Sequence, residues 1–308
     1  MNQVPFITAD RLRSLVPVPA AIAALDAAFR ATDGGGPPRS HVAVDNGDLL
    51  LMPAHGPAGV GVKLVTVAPG NPARGLPLIH GVYVLFDAGT RAPVALLDGA
   101  ALTAVRTSAV SGLAARYLAR EDARRLLVFG AGTQARAHVE AMRAVRPVTQ
   151  VTVVSRTAAS ARAFVSDLRA GGIDARVGTP ADVRTADLVC TCTTSATPVF
   201  DGAELSDGVH VTAVGAYRPD TRELDAVTMG RARVVVEQRD AALAEAGDLV
   251  LAIAEQALTP DGIVADLTEV VAGAVVRRSD ADITVFKSVG LALEDLAVAA
   301  AAARRSSG

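Results

Sequence analysis

The stretch LLVFGAGTQARAH, Leu126–His138, decides the fold, because an apolar run ends at glycines and a helical pattern begins directly after them. Its centre reads G-x-G-x-x-A from Gly130 to Ala135, and this spacing between a strand and a helix predicts a dinucleotide-binding turn. Gly130 permits the tight turn, Gly132 lets the backbone approach a pyrophosphate, and Ala135 allows close helix–strand packing. The first N–H groups of the helix, beginning at Thr133, are predicted to bind phosphate.

Two patterns divide the chain on either side of this stretch. From Arg124 onward, apolar runs alternate with helical patterns, which is typical of βαβ units on a parallel sheet. The earlier part has short β-rich runs separated by turn-rich segments, which predicts an α+β region with a mixed or antiparallel sheet. The predicted strands are 41–44, 49–53, 61–67, 80–86, 150–156, 187–194, 209–215, 231–237 and 283–288, and the predicted helices are 19–31, 99–118, 133–144, 158–168 and 288–303.

The change of pattern predicts an α/β protein with two domains. We expect a Rossmann-type dinucleotide-binding domain over residues 119–290 and an N-terminal α+β domain over residues 1–118. The terminal helix, within residues 291–308, is expected to return to the N-terminal domain. A break at GGGPP, residues 34–38, interrupts the N-terminal pattern.

Composition excludes several classes of function. The net charge is −2, aromatic residues make up 3% and tryptophan is absent, so neither nucleic acid nor a membrane surface is an expected partner. The two cysteines, Cys190 and Cys192, are interpreted as small buried residues, and the five histidines form no metal-ligand pattern. The first ten residues lack the pattern of a signal peptide, so a cytoplasmic location is expected.

The end of the second strand of the Rossmann-type region bears on the choice of cofactor. An NAD site usually has an Asp or Glu there to bind the ribose 2′-OH. This chain instead has Ser155, Arg156 and Thr157 at that point. A guanidinium and two hydroxyls suit a 2′-phosphate, so the sequence predicts NADP(H) in preference to NAD(H).

Several stretches together resemble one family. GVKLVTVAPGNPARGLP from Gly61, LTAVRTSAVSG from Leu102, VGAYRPDTREL from Val214 and TVFKSVGLALEDLAVA from Thr284 are similar to motifs of the ornithine cyclodeaminase/mu-crystallin family. The resemblance implies a substrate-binding and dimerisation domain followed by a Rossmann domain, usually in a homodimer. It implies a nicotinamide cofactor and a small amino-acid or imino-acid substrate.

The resemblance also implies a substrate site with fixed cations. Arg39, Lys63 and Arg106 match family positions that hold the substrate, and an arginine fork suits a carboxylate. Burial near other cations would lower the pKa of Lys63, so Lys63 and Arg106 are the candidate catalytic residues. Besides the fingerprint and the 155–157 segment, the predicted cofactor-binding residues are Thr107, Gln134, Thr194, Ser195, Val214, Ser288, Val289 and Gly290, with Gly290 giving clearance for the nicotinamide.

Two departures from the family pattern select among its activities. Family cyclodeaminases carry an acid where this chain has Tyr217, and they tend to carry a glutamate near Leu50. Tyr217 at this position is itself a candidate substrate-binding residue. Asp220 lies three positions later, where it could orient Arg218 or contact substrate, and residues 222–224 are expected to begin a helix. We therefore expect reduction of an α-imino acid such as pyrroline-2-carboxylate or piperideine-2-carboxylate, or amino-acid dehydrogenation. An ornithine or lysine cyclodeaminase and a mu-crystallin-like binding protein are the alternatives.

Overall fold

The computed structural model describes residues 4–32 and 37–306, so Gly34–Gly36 of the predicted break lie outside the described residues. The chain divides into two compact units, Met1–Ala109 with Gly290–Gly308, and Val110–Val289. The division falls inside a helix, nine residues before the boundary expected at residue 118. The C-terminal helix belongs to the unit that contains the N-terminal residues.

The elements are numbered here in chain order. The helices are α1 Ala9–Leu15, α2 Val18–Ala31, α3 Gly99–Leu118, α4 Thr133–Val145, α5 Ala158–Ala170, α6 Ala226–Arg231, α7 Arg239–Glu245, α8 Gly247–Ala254, α9 Leu267–Val271 and α10 Ala292–Ser306. The strands are β1 Phe6–Ile7, β2 Ser40–Val44, β3 Gly47–Gly56, β4 Gly59–Val67, β5 Ile79–Phe86, β6 Pro93–Asp98, β7 Arg125–Phe129, β8 Gln150–Val154, β9 Asp174–Val177, β10 Leu188–Thr191, β11 His210–Ala213, β12 Arg233–Val236, β13 Ile263–Asp266 and β14 Thr284–Lys287.

The first unit is built on a six-stranded sheet in the order β1-β6-β5-β4-β3-β2. Neighbours from β2 to β6 are antiparallel, and the short β1 pairs parallel to β6. Helix α10 packs against α2 and against β3, β4 and β5. Alternate residues of β4 are buried, and Lys63 is one of them, because side chains of a strand point to opposite faces in turn.

The second unit has an eight-stranded sheet in the order β13-β12-β14-β11-β10-β7-β8-β9, with every pair parallel. Two separate apolar clusters form from alternating residues of the same strands, one with Leu127 and Val189, the other with Leu126 and Leu188. Burial on both faces is the reason these strands read as continuous apolar runs. The strand order reverses between β7 and β10, where open α/β sheets bind ligands.

The predicted α/β class and Rossmann-type domain are confirmed, whereas several element boundaries differ. The terminal helix begins at Ala292 rather than at residue 288, because the intervening residues are not helical and Gly290 has a φ of +83°. The expectation that residues 222–224 begin a helix is wrong: α6 starts at Ala226, where Asp225 accepts a hydrogen bond from the Thr228 N–H. The short strands β1, β6, β9 and β13 were absent from the sequence-based assignment.

Within the described ranges, no single helix is both long and apolar enough to cross a membrane. The pair α1 and α2 meets the two criteria only when combined across a bend of 75°.

Candidate functional site

A cavity of about 770 Å³ lies in the second unit at the point where the strand order reverses. The carboxyl ends of β7, β8 and β10 open into it. Seven residues predicted to bind the cofactor line this one cavity, namely Gly130, Gly132, Ser155, Arg156, Thr157, Thr194 and Ser195. The cavity is thus in the place, and has the lining, that a dinucleotide site requires.

The two fingerprint glycines are needed for different reasons. Gly130 has a φ of +112°, and a Cβ there would lie 2.6 Å from the Cys192 carbonyl oxygen. Gly132 is the N-cap of α4, and a Cβ on it would meet no atom within 4 Å. Any side chain at residue 132 would therefore project into the space that the helix N-terminus offers to a phosphate. Ala135 is completely buried, as close packing of α4 requires.

Part of the cavity is lined by polar groups that follow β8. Ser155 is partly buried and Arg156 is exposed, and both line the cavity. The Thr157 hydroxyl donates to the Ser160 hydroxyl at 2.6 Å, which fixes two more oxygens at this edge. The lining also includes Gly178, Thr179 and Pro180, which sequence reasoning missed because they follow the unassigned strand β9.

The remaining predicted cofactor residues lie away from the lining of this cavity, and their roles stay predictions. Thr133 and Gln134 form the first turn of α4. Thr107 is buried on α3. Val214 donates its backbone N–H to the Thr191 carbonyl at 3.1 Å, in continuation of the sheet. Ser288 and Val289 are also in the predicted set, and both donate to the buried Glu237 carboxylate, at 2.6 and 3.0 Å.

Glu223 is a structural residue that sequence reasoning missed. Its buried carboxylate accepts four hydrogen bonds, from the Thr191 hydroxyl, the Thr193 N–H and hydroxyl, and the Gly215 N–H, at 2.7 to 2.8 Å. Burial raises the pKa of Glu223, and the nearby Lys287 charge opposes that rise. The carboxylate ties the turn after β10 to the turn after β11. A buried acid needs such partners, and because they lie far apart in the chain, no local sequence pattern could have shown them.

Asp248 and Lys287 extend this network through two buried charges. Asp248 accepts from the Glu223 and Leu224 N–H groups at 2.7 and 2.8 Å, and Lys287 Nζ lies 2.8 Å from its second oxygen. Lys287 also donates to the Ala216 carbonyl at 2.6 Å. The backbone just before Tyr217 is therefore held by buried charged groups.

Tyr217 and Asp220 lie on the exposed part of that loop. The Tyr217 side chain is 40% exposed, and Asp220 pairs with Arg218 at 3.0 to 3.1 Å, so the expected orientation of Arg218 by Asp220 is observed. Hydrogen bonds from Arg218 lower the pKa of Asp220. The predicted contacts of Tyr217 and Asp220 with substrate stay predictions.

The first unit contains a buried ionic cluster around Lys63. Lys63 Nζ lies 2.9 Å and 2.8 Å from the two carboxylate oxygens of Asp295, and 3.2 Å from the Thr103 hydroxyl. Lys63 and Asp295 are 2% and 0% exposed. Burial lowers the pKa of Lys63 to about 8, although the Asp295 charge opposes this decrease. Lys63 thus has a pKa close to neutrality, as proton transfer at physiological pH requires.

Arg106 and Arg39 flank the same cluster. Arg106 Nη1 lies 2.8 Å from Glu294, and its Nε lies 3.6 Å from Asp295. Arg39 Nη2 donates to the Gly290 carbonyl at 2.8 Å. Gly290 has a φ of +83°, and a Cβ there would lie 2.3 to 2.7 Å from the Arg106 guanidinium. The clearance at Gly290, which we expected to serve the nicotinamide, is already required by Arg106.

The structure therefore brings together the three predicted substrate cations, Lys63, Arg106 and Arg39, with Gly290 between the two arginines. It adds Glu294 and Asp295, the acids of ALEDLA at the start of α10, which were not among the predicted site residues. No group of three or more potential metal ligands occurs among the residues that the structure describes.

Comparison with known proteins identifies the family of the chain. The model of the ornithine cyclodeaminase/mu-crystallin family matches residues 5–307. A Delta(1)-pyrroline-2-carboxylate reductase of Bacillus cereus is 42% identical over 262 residues, which cover 81% of this chain and 79% of that protein.

Solved structures of other proteins are similar to this chain over nearly its whole length. The Thermococcus litoralis Delta(1)-pyrroline-2-carboxylate reductase, in complex with NADH and L-proline, has a TM-score of 0.93 and 32% identity, covering 98% of this chain and 97% of that chain. An archaeal alanine dehydrogenase, a dimer with bound NAD, has a TM-score of 0.93 and 33% identity, covering 98% and 96% of the two chains.

Proposed function

The chain belongs to the ornithine cyclodeaminase/mu-crystallin family, and from this premise we propose that it is an NAD(P)H-dependent reductase of a small cyclic α-imino acid of the pyrroline-2-carboxylate type. The observation that carries the proposal is the cluster of the buried Lys63 and Arg106 with the half-buried Arg39. It combines a protonatable amine with two guanidinium groups. The named relatives support a substrate in which a carboxylate adjoins a C=N bond.

The chemistry divides between the two units. In the first unit, the arginine forks would bind the substrate carboxylate and fix the imine carbon in one orientation. Lys63 would donate a proton to the imine nitrogen, which makes the carbon more electrophilic. The cavity of the second unit would hold the reduced nicotinamide cofactor, which supplies the hydride. Proton plus hydride convert C=N into CH–NH.

We further propose that the cofactor is NADP(H) rather than NAD(H). Arg156 is exposed at the edge of the cavity beside Ser155 and Thr157, a donor set that suits a 2′-phosphate. Arg156→Ala is expected to raise the KM for NADPH about 10- to 100-fold and to change that for NADH little, because a charge-assisted hydrogen bond contributes about 1.5–3 kcal/mol. Arg162→Ala is the matched control, since Arg162 is exposed on α5 and does not line the cavity. An unmodified protein that prefers NADH contradicts this proposal.

The activity is tested by following nicotinamide absorbance with a panel of cyclic imino acids and keto acids plus amines, with ammonia release from ornithine and lysine assayed in parallel. Oxidation of NAD(P)H with an imino acid supports the reductase. Ammonia release without net change in cofactor would instead identify a cyclodeaminase. Tight cofactor binding with no turnover of either kind would identify a binding protein.

A homodimer is the proposed assembly, supported by the dimeric archaeal relative. Light scattering of the full chain tests it, with a monomer mass as the opposing result.

A further inference from the structure

Lysine is used at only two positions in this chain. Of its 30 basic residues, 28 are arginine, and Lys63 and Lys287 are the only lysines. Both lysines are buried, at 2% and 0% exposure, and each forms an ion pair with a buried aspartate. The cluster with Arg106 and Asp295 therefore contains a lysine, which can lose its proton near neutral pH when it is buried, whereas an arginine stays charged.

The Lys63 ammonium is held from two sides. Both carboxylate oxygens of Asp295 lie within 2.9 Å of Nζ, and the Thr103 hydroxyl lies at 3.2 Å. The Thr103 hydroxyl donates its own proton to the Gly99 carbonyl at 2.9 Å, so it presents a lone pair to Lys63. Asp295 stands in the first turn of α10, where a carboxylate also interacts favourably with the helix dipole.

We propose that Asp295 is a positioning residue that keeps Lys63 protonated and oriented, so that the ammonium can donate its proton to the substrate nitrogen. This inference rests on the proposed reductase function. In the step itself, an N–H bond of Lys63 breaks and an N–H bond of the substrate forms, while hydride from the reduced nicotinamide completes the C–H bond. Lys63 is left as a neutral amine and regains its proton from water.

The other charges near Lys63 show why Asp295 is needed. Burial is the largest influence on the pKa of Lys63 and lowers it, and the Arg106 charge lowers it as well. Asp295 is the main opposing influence, and Glu294, which pairs with Arg106, opposes less. Tyr83 lies directly opposite Lys63 on β5, and burial together with Asp295 raises the pKa of its phenol, which therefore stays neutral. Without Asp295, burial and the Arg106 charge would both lower the pKa of Lys63, and only the smaller influence of Glu294 would oppose them.

The test uses the full chain labelled with 13C- and 15N-lysine, whose NMR spectrum should contain only two lysine side chains. Lys287→Arg assigns the two signals. The Lys63 signal should titrate with a midpoint of about 8 in the unmodified protein. In Asp295→Asn, loss of the neighbouring charge should move that midpoint down by about 1–3 pH units. Asp295→Glu should restore most of it, and Glu294→Gln, the matched control, should move it less than Asp295→Asn.

The same variants give a kinetic signature that a merely structural defect would not produce. With a midpoint lowered by about 2 pH units, kcat/KM for the imino acid should fall about 50-fold at pH 8 and only about twofold at pH 6. Glu294→Gln should change KM through Arg106, and it should leave the alkaline limb of the pH profile of kcat/KM nearly in place. Asp295→Ser, which is smaller and uncharged, replaces Asp295→Asn if the amide variant does not fold.

An unchanged Lys63 midpoint in Asp295→Asn would overturn the proposal. So would a lowered midpoint with no matching movement of the alkaline limb, because Lys63 would then not be the proton donor. The NMR titration needs no turnover. If the unmodified protein reduces no imino acid, the proposed function fails separately while the titration still reports what Asp295 does to Lys63.

Discussion

Gly290→Ala isolates the contribution of Arg106 without changing Arg106 itself. The new Cβ would lie 2.3 Å from Nη1, whereas ordinary contact begins at 3.4 Å, so the guanidinium must move by about 1.1 Å. A displacement of that size removes Arg106 from its 2.8 Å contact with Glu294 and from its place beside Lys63. Misplacement of a binding group by about 1 Å can cost about 100-fold in rate.

We therefore expect Gly290→Ala to lower kcat/KM for the imino acid about 100-fold, chiefly through KM, because Arg106 is proposed to bind the carboxylate in the ground state. The Kd for NADPH, measured by fluorescence in the absence of substrate, should stay within about twofold of the unmodified value. Steady-state kinetics at fixed saturating NADPH separates the two effects.

Gly273→Ala is the matched control for backbone strain. Gly273 has a φ of +108°, but a Cβ there would meet nothing within 4 Å. Both alanine variants should lose about 1–2 kcal/mol of stability from the left-handed backbone, measured by urea denaturation. Only Gly290→Ala should also lose activity. Normal KM in Gly290→Ala, or an equal loss in Gly273→Ala, would refute the assignment of Arg106 to the carboxylate.

Three further predictions concern the second unit. Gly132→Ala should raise the Kd for NADPH at least about tenfold, with unchanged urea stability, because its methyl group points into open space. Asp187→Asn should lower the free energy of unfolding by about 2 kcal/mol at pH 7. Burial raises the pKa of Asp187, but hydrogen bonds led by Arg125 lower it further, to about 2. The stabilisation is therefore present above about pH 4 and is lost as the pH falls through 2. Urea denaturation across that pH range tests this prediction, and a difference in stability between the two proteins that does not change with pH would contradict it. Lys287→Met should cost about 3–5 kcal/mol by leaving Asp248 buried without its cation, and Lys287→Met with Asp248→Leu should recover much of this.

Local patterns predicted most of the fold. The fingerprint placed the turn after β7, and the bounds of α3 are those that the small-residue stripe predicted. The prediction that residues 222–224 begin a helix was wrong, because an acid between an arginine and a leucine has the local sequence pattern of a helix start. Glu223 instead bonds backbone groups 30 residues earlier and 8 residues earlier, which no local periodicity can indicate.

The residues of the candidate site also differ in whether the sequence could predict them. Residues that follow a strand end, such as Ser155 and Thr194, could be predicted, because parallel strands share one carboxyl edge. Asp295 could not, because it meets Lys63 across 232 positions of sequence and reads locally as the polar side of an amphipathic helix. The resemblance supplied Lys63 and Arg106 as residues, but their acidic partners come only from the fold.

The pairing of opposite charges explains how the cluster around Lys63 can be buried, although removing charged groups from water costs free energy. Lys63, Arg106 and Arg39 bring three positive charges, and Glu294 and Asp295 bring two negative charges. Buried charges are tolerated when they are paired, so the two carboxylates stabilise the cations while no substrate is bound. Under the proposed function, the carboxylate of an α-imino acid would add a further negative group beside the two guanidinium groups. The proposed function is therefore compatible with acidic residues in the cluster, because Glu294 and Asp295 fix the directions of cations that would otherwise repel each other.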